Sequence, residues 1–353
     1  MFCTKDIEIK ERKAYLQFPE RKSYKENHIL YLFLNMSGCM YDNIYKYTLC
    51  VVLFTILILL VSFLIFFITF NEPYQFTDEE IKKGRQEIQN SRVVFAGLIR
   101  DKEDRISYLQ KRLEALSKPF RDYHILIVEN DSKDKTRERL LEWHQKNPKV
   151  TILGCGENVP RCILGLESTK SRSHSSNRIK KMSQLRNIYV NYLRENFSDW
   201  DYLVVNDFDL LADLSDMGWK SAFGHFKQDQ SLSAISAYGF YDLFFKKIFY
   251  DDFAFVPLNS PIEVDNVKES PFRLKEKIEM ELYLLETKKE LVEVKSAFSG
   301  LTIYRISHIP ANARYDFCHS EDKKACEHSY FNQYLNKIVI HPGLKYRIIK
   351  NNL

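Results

Sequence analysis

Twenty-five consecutive residues without a charge, Tyr47 to Asn71, constrain this chain more than any other feature. Lys46 and Glu72 bound the run, and its interior reads VVLFTILILLVSFLIFFITF. As a helix it would reach roughly 37 Å, more than the ~30 Å hydrocarbon core of a bilayer. A buried core helix needs no such apolar surface on every face. A cleaved signal peptide would carry a shorter apolar part nearer the start. The run predicts a transmembrane helix over 47–71. Eight Lys or Arg lie in the 46 residues before it and three in the twenty after it. By the positive-inside rule, the N-terminus lies in the cytosol and everything after Asn71 lies across the membrane. The expected organisation is a cytosolic tail 1–46, the helix, a polar stem 72–91 and a folded domain 92–353.

Composition narrows the class of that domain. Hydrophobic residues make up 45% of 353, enough for a sizeable core, and 11 Gly with 10 Pro exclude a fibrous chain. A net charge of +5 is mild at this length and gives no concentrated basic face, which argues against nucleic acid as a partner. Beyond the apolar run lie Cys155, Cys162, Cys318 and Cys326. In an oxidising lumen these allow Cys155–Cys162 and Cys318–Cys326 as the local disulfides, with free buried thiols as the alternative.

From Arg92 onward, apolar runs alternate with segments of helical periodicity. Strands are predicted over 92–100, 123–130, 149–154 and the start of DYLVVNDFDL (201–210). Helices are predicted over 102–116, 135–146 and 178–196. This alternation predicts an α/β domain with a mostly parallel sheet and helices on both faces. In such sheets ligands bind beyond the C-terminal ends of the strands. Those exits carry Arg100-Asp101, Glu129-Asn130-Asp131-Ser132 and Asp207-Phe208-Asp209.

Two carboxylates as close as Asp207 and Asp209 repel each other unless a cation lies between them. A solvated turn is the plain alternative. In VENDSKDKT (128–136), Asp131, Ser132 and Asp134 suit either a ligand or a helix N-cap. Ser168 to Arg194 contains no acid but carries Lys170, Arg172, Arg178, Lys180, Lys181, Arg186 and Arg194. A solvated helix usually mixes signs, so this bias points to an anion, with Arg178 and Arg186 able to hold phosphate. An ordinary basic face remains the other reading.

In order and spacing, VENDSKDKT, RIKKMSQLRN (178–187), DYLVVNDFDL, YGFYDLFF (238–245), SAFSGLTIYR (296–305), ACEH (325–328) and IHP (340–342) resemble the GT-A glycosyltransferases. The likeness is to the fungal capsule-associated α-mannosyltransferases and related bacterial and viral enzymes, over about 92–342. It implies transfer of a sugar from a GDP- or UDP-linked nucleotide-sugar donor to a glycan or glycoconjugate hydroxyl. It further implies Mn²⁺ or Mg²⁺ on Asp207 and Asp209, with His341 as a candidate third ligand. Glu129 and Asp131 would face the nucleoside, and Arg100 or Arg186 the diphosphate. Glu327 would be the catalytic base or acceptor-binding acid, and SAFSG would let the backbone approach the sugar. A type II enzyme of the Golgi or endoplasmic reticulum is expected in a eukaryote. A catalytically inactive, glycan-binding homologue and a nucleotidyltransferase are the competing expectations.

Overall fold

The computed structural model describes residues 46–62, 74–155, 176–243, 246–265, 290–318 and 323–349. The chain divides into two units, Met1–Phe70 and Asn71–Leu353. In the first, α1 spans residues 46–62, with its described side chains exposed. Among the described residues no helix is long and apolar enough to cross a membrane. The rest of the predicted span, 63–71, lies outside the described residues.

In the second unit, the elements in chain order are α2 (Asp78–Asn90), β1 (Arg92–Ile99), α3 (Ile106–Ser117), β2 (Asp122–Glu129), α4 (Thr136–Lys146), β3 (Val150–Leu153), α5 (Ser176–Asn196), β4 (Tyr202–Asn206), β5 (Ala212–Leu214) and α6 (Asp216–Gln228). They are followed by β6 (Ala234–Leu243), β7 (Lys246–Phe249), β8 (Val256–Pro257), β9 (Val264–Asp265), β10 (Val292–Ser296), β11 (Leu301–Arg305), β12 (Lys323–Lys324), α7 (Glu327–Asn332) and β13 (Ile338–Ile348). The predicted strands and helices up to β4 match these bounds to within a few residues.

One sheet runs β3-β2-β1-β4-β11-β6-β13-β10-β8. From β3 to β4 it is parallel, as the strand–helix alternation predicts. Beyond β4 it changes character: β11 is antiparallel to both β4 and β6, and β10 is antiparallel to β13. The sheet is mixed, which corrects the expectation of a mostly parallel one. The physical reason lies between β4 and β6: β11, a strand from much later in the chain, enters there and runs against both neighbours.

Side chains alternate between two cores. Val93, Phe95, Tyr202 and Val204 pack on one face with Trp143, Trp219 and Phe223. Val94, Ala96, Leu203 and Val205 pack on the other with Leu185, Tyr189 and Phe331. Helices therefore cover both faces, with α3, α4 and α6 on the first and α5 and α7 on the second. This is why YLVVN reads as a continuous apolar run.

The predicted stem is partly a helix of the folded unit. Thr77 caps α2 by accepting from the Glu80 backbone N–H at 3.2 Å. Glu80 then accepts from Ser221 Oγ of α6 at 2.7 Å. Gly84 and Gly224 let the helices touch, because a Cβ on Gly84 would lie 1.7 Å from the Lys220 carbonyl oxygen. Gly84→Val is expected to destabilise this unit by about 1–3 kcal/mol in denaturant titration, the usual range for overpacking.

Candidate functional site

The chemistry gathers where β4 leaves the sheet. Phe208 is buried in the α3/α6 core, over Gly97 of β1, where a Cβ would sit 2.5 Å from its ring. That anchor fixes Asp207 and Asp209 on either side of it. Asp207 donates its backbone N–H to the Gly300 carbonyl at 3.1 Å, and the Arg105 guanidinium donates to the Asp209 carbonyl. Asp207 Oδ2 accepts from the Tyr250 hydroxyl at 3.0 Å. Burial first, and then the Asp209 charge, push the Asp207 carboxyl up to about 7. The sequence expectation that the two acids lie close enough to repel is met.

Arg186 of α5 reaches under this pair. Its Nε donates to Glu327 Oε1 at 3.1 Å, and its Nη2 lies 3.7 Å from Asp207 Oδ1. Phe298 and Tyr315 bracket the guanidinium at 5.3 and 5.7 Å. With the side chain only 4% exposed, this is a buried ion pair. The acid-free stretch thus supplies a cation to carboxylates of its own chain, where a phosphate clamp was expected. Arg186 Nη1 nevertheless remains buried without an acceptor among the described residues. Glu327 starts α7, and its second oxygen lies 3.5 Å from the Cys326 thiol.

Asp251 joins the group, and sequence reasoning missed it. It follows Tyr250, has left-handed backbone at φ 64° and is partly buried. Burial, then the charges of Asp207 and Glu327, hold its carboxyl well above the ordinary range. Only its proximity to Tyr250 in the fold identifies it; FYDDF carries no motif.

The exits of β1 and β2 form a second wall. Asp131, also left-handed at φ 57°, accepts from Lys181 Nζ at 3.1 Å, and its Oδ1 is buried without a partner among the described residues. Glu129 turns inward instead of facing a ligand. It is fully buried, accepting from Arg137 at 2.9 Å and from the Ser132 N–H at 3.1 Å. Arg100 is half-exposed and contacts Asp101 at 3.2 Å. Arg178 is exposed at the start of α5, and Lys170 and Arg172 lie outside the described residues.

His341 does not join the acids, which corrects its expected role as a third metal ligand. It sits in β13 against α6, with Nε2 2.7 Å from Ser221 Oγ and Nδ1 accepting from the Gly343 N–H at 3.0 Å. Both nitrogens are spent, and burial followed by His225 hold its pKa well below the ordinary value. It is a hydrogen-bonded core histidine. Among the described residues no three His, Cys, Asp or Glu side chains form a metal cage. The Cys318–Cys326 disulfide is also absent. Both are free thiols, Cys326 buried beside Glu327 while Cys318 lies by Tyr330 and Glu263. Cys155 is disulfide-bonded, and its expected partner Cys162 lies outside the described residues.

SAFSG is a packing element. Ser296 to Ser299 are buried, and Ser299 and Gly300 both take positive φ, 54° and 81°. That turn places the Gly300 carbonyl to accept from Asn206 Nδ2 at 2.8 Å as well as from Asp207.

The family model for Cryptococcal mannosyltransferase 1 matches residues 92–332, and the chain belongs to that family. No curated protein sequence matches it. Among solved structures, Staphylococcus aureus TarS 1-349 in complex with UDP-GlcNAc gives a TM-score of 0.42 at 13% identity, covering 74% of this chain and 59% of TarS. Mannosyltransferase PcManGT from Pyrobaculum calidifontis, in complex with GDP-Man and Mn²⁺, gives 0.39 at 10% identity, covering 76% of this chain and 62% of that one. The chain thus spans about 60% of the length of these structures.

The raised Asp207 carboxyl has a testable consequence for the metal-free protein. A carboxyl whose folded pKa is about 7, against 3.8 in the free side chain, binds a proton in the folded state between those values. Its cost to stability is absent below pH ~4, grows as pH rises, and is complete above pH ~7. Asp207→Asn removes that cost. In thermal melts with chelator, the variant is expected to exceed wild type by on the order of 2 kcal/mol at pH 8, the gap narrowing towards pH 5.

Proposed function

We propose that this chain is a membrane-anchored, metal-dependent glycosyltransferase of GT-A type. It would move a hexose, with mannose the first candidate, from a GDP- or UDP-linked donor to a glycan or glycoconjugate hydroxyl. The observation that carries this reading is the Asp207–Asp209 pair at the exit of a central strand, within the region that defines the family.

The residues present fit a divalent ion. The two carboxylates repel strongly enough to raise one of them, and Arg186, the cation paired with Asp207, is shared with Glu327. Mg²⁺ and Mn²⁺ accept one or two protein carboxylates and take their other ligands from phosphate and water. Asp207 and Asp209 would hold the ion, which when bound supplies charge neutralisation to a departing nucleoside diphosphate.

The chain's own groups do the rest. Tyr250 and Arg186 orient Asp207, and Arg105 fixes the backbone of Asp209. Asp131 and the exits of β1 and β2 would form a polar wall for the nucleoside, with Arg100 and Arg178 the proposed contacts to the diphosphate. Phe298 and Tyr315 keep water from the guanidinium of Arg186, so its charge acts at short range undiminished.

Anchorage by the 47–71 run, with the folded unit on the luminal side of the Golgi or endoplasmic reticulum, completes the proposal. Its support is the uncharged run and its basic N-terminal flank. In sealed microsomes, added protease is expected to remove residues before Lys46 and to spare the unit after Asn71. Digestion of that unit would reverse the orientation.

The activity is tested by screening GDP- and UDP-sugars against the full chain with and without Mn²⁺. Turnover is expected only with the ion, and Asp209→Asn should lower it at least ~100-fold without loss of the fold. Equal turnover in wild type and variant would return the acid pair to a solvated turn.

A further inference from the structure

Three Asn-x-Ser sequences stand in the chain: Asn35-Met36-Ser37, Asn130-Asp131-Ser132 and Asn196-Phe197-Ser198. This spacing, with no proline between, is the acceptor signal for N-linked glycosylation, and the bulk of a glycan demands a surface position. Asn35 precedes the uncharged run, and the other two follow it.

Those two lie in opposite surroundings. Asn130 follows β2 at the candidate site and is only 3% exposed, with Nδ2 donating to Asp131 Oδ2 at 2.8 Å. Ser132 is buried too, and its hydroxyl accepts from the Asp101 N–H at 3.2 Å. The folded chain has no room for a glycan there. Asn196 is the last residue of α5, and both it and Ser198 are exposed. The ring of Phe197 between them packs against His124 and Trp200, at 4.7 Å each. Its backbone N–H donates to the Leu193 carbonyl at 2.8 Å, and its carbonyl accepts from the Trp200 N–H at 3.0 Å. This anchored turn presents Asn196 and Ser198 to solvent.

We propose that Asn196 is a site of N-linked glycosylation. The co-reactant is a lipid-linked oligosaccharide diphosphate. Asn196 Nδ2 loses one proton and bonds to C1 of the first sugar, while the bond from C1 to the diphosphate oxygen breaks and the lipid diphosphate leaves with the electron pair. An amide nitrogen carries two N–H groups. One donates to the Tyr192 carbonyl at 2.9 Å, so that bond survives when the other is replaced. Asn196 lies ten residues after Arg186 on α5, about 15 Å along the helix. Asp199, in the same turn, pairs with Arg92 at the start of β1 at 2.8 Å. The glycan therefore stands at the opposite end of the strands from the exit that carries Asp207 and Asp209. The site rests on the luminal orientation proposed above.

The test is translation of the full chain into sealed endoplasmic-reticulum microsomes, then electrophoresis with and without endoglycosidase. Wild type is expected to show one upward mobility step that the endoglycosidase reverses. Asn196→Gln and Ser198→Ala are each expected to lose the step, and Asn35→Gln and Asn130→Gln to keep it. Ser198→Ala leaves the asparagine in place, so its effect reports the acceptor signal itself. Protease added outside the vesicles reads the orientation in the same samples. No step in a chain whose folded unit the protease spares would overturn the site alone, as would a step that depends on Asn130. A step that depends on Asn35, or a folded unit that the protease digests, would take down the luminal orientation and the site with it.

Discussion

A single buried guanidinium holds the candidate site together. Arg186 lies inside the second core, and burying a charge there costs several kcal/mol unless it is paired. Three distant parts of the chain supply the pairing: Glu327 from α7, Asp207 from β4, and the rings of Phe298 and Tyr315. Burial works against its charge, yet Tyr189, Glu327, Tyr315 and Asp207 together hold it firmly protonated. Phe298 stacks on His328 at 3.8 Å while also facing Arg186, so α5, α7 and the β10–β11 turn are locked as one block. The carboxylates can crowd at the strand exit because this cation is fixed beneath them.

The block explains which parts were legible in the sequence. Local features were: apolar strands from β1 to β4, the helices between them, and the acidic exits all follow from short-range pattern. The acid pair itself was visible because Asp207 and Asp209 are two residues apart on one strand exit. Features set by contacts across long stretches of chain were not. Arg186 was picked out as a phosphate ligand, since nothing local reveals a partner 141 residues away at Glu327. Glu129 looked like a ligand at a strand exit, but Arg137, the second residue of the next helix, turns it inward. The sheet's antiparallel half was hidden for a similar reason, as its order depends on β6, β11 and β13 meeting from separate regions.

His341 shows how a motif can point at the right residue for the wrong reason. Its environment is as specific as a metal site would be: it is fully buried, with Ser221, Gly343 and the Tyr74 ring at 4.7 Å around it. Nδ1 accepts a backbone N–H, so the neutral ring carries its proton on Nε2 and donates to Ser221, which donates to Glu80. The chain of bonds runs from β13 through α6 to α2. It ties the segment read as a free stem to the sheet, and it is a reason for the histidine that needs no metal.

Backbone strain marks the same edge of the sheet independently of charge. Among the described residues, four non-glycine residues take positive φ: Asp101, Asp131, Asp251 and Ser299. Asp101 and Asp131 follow β1 and β2, Ser299 precedes β11 opposite the exit of β4, and Asp251 follows the β6–β7 hairpin. Aspartate tolerates this conformation better than most residues, and such strain persists only where the surroundings over-determine it. Three of the four have such support: the Asp101 carboxylate accepts from the Lys133 N–H, Asp131 is held by Lys181, and Ser299 is packed against Gly239. Asp251 is the exception, for its carboxylate is held by nothing described.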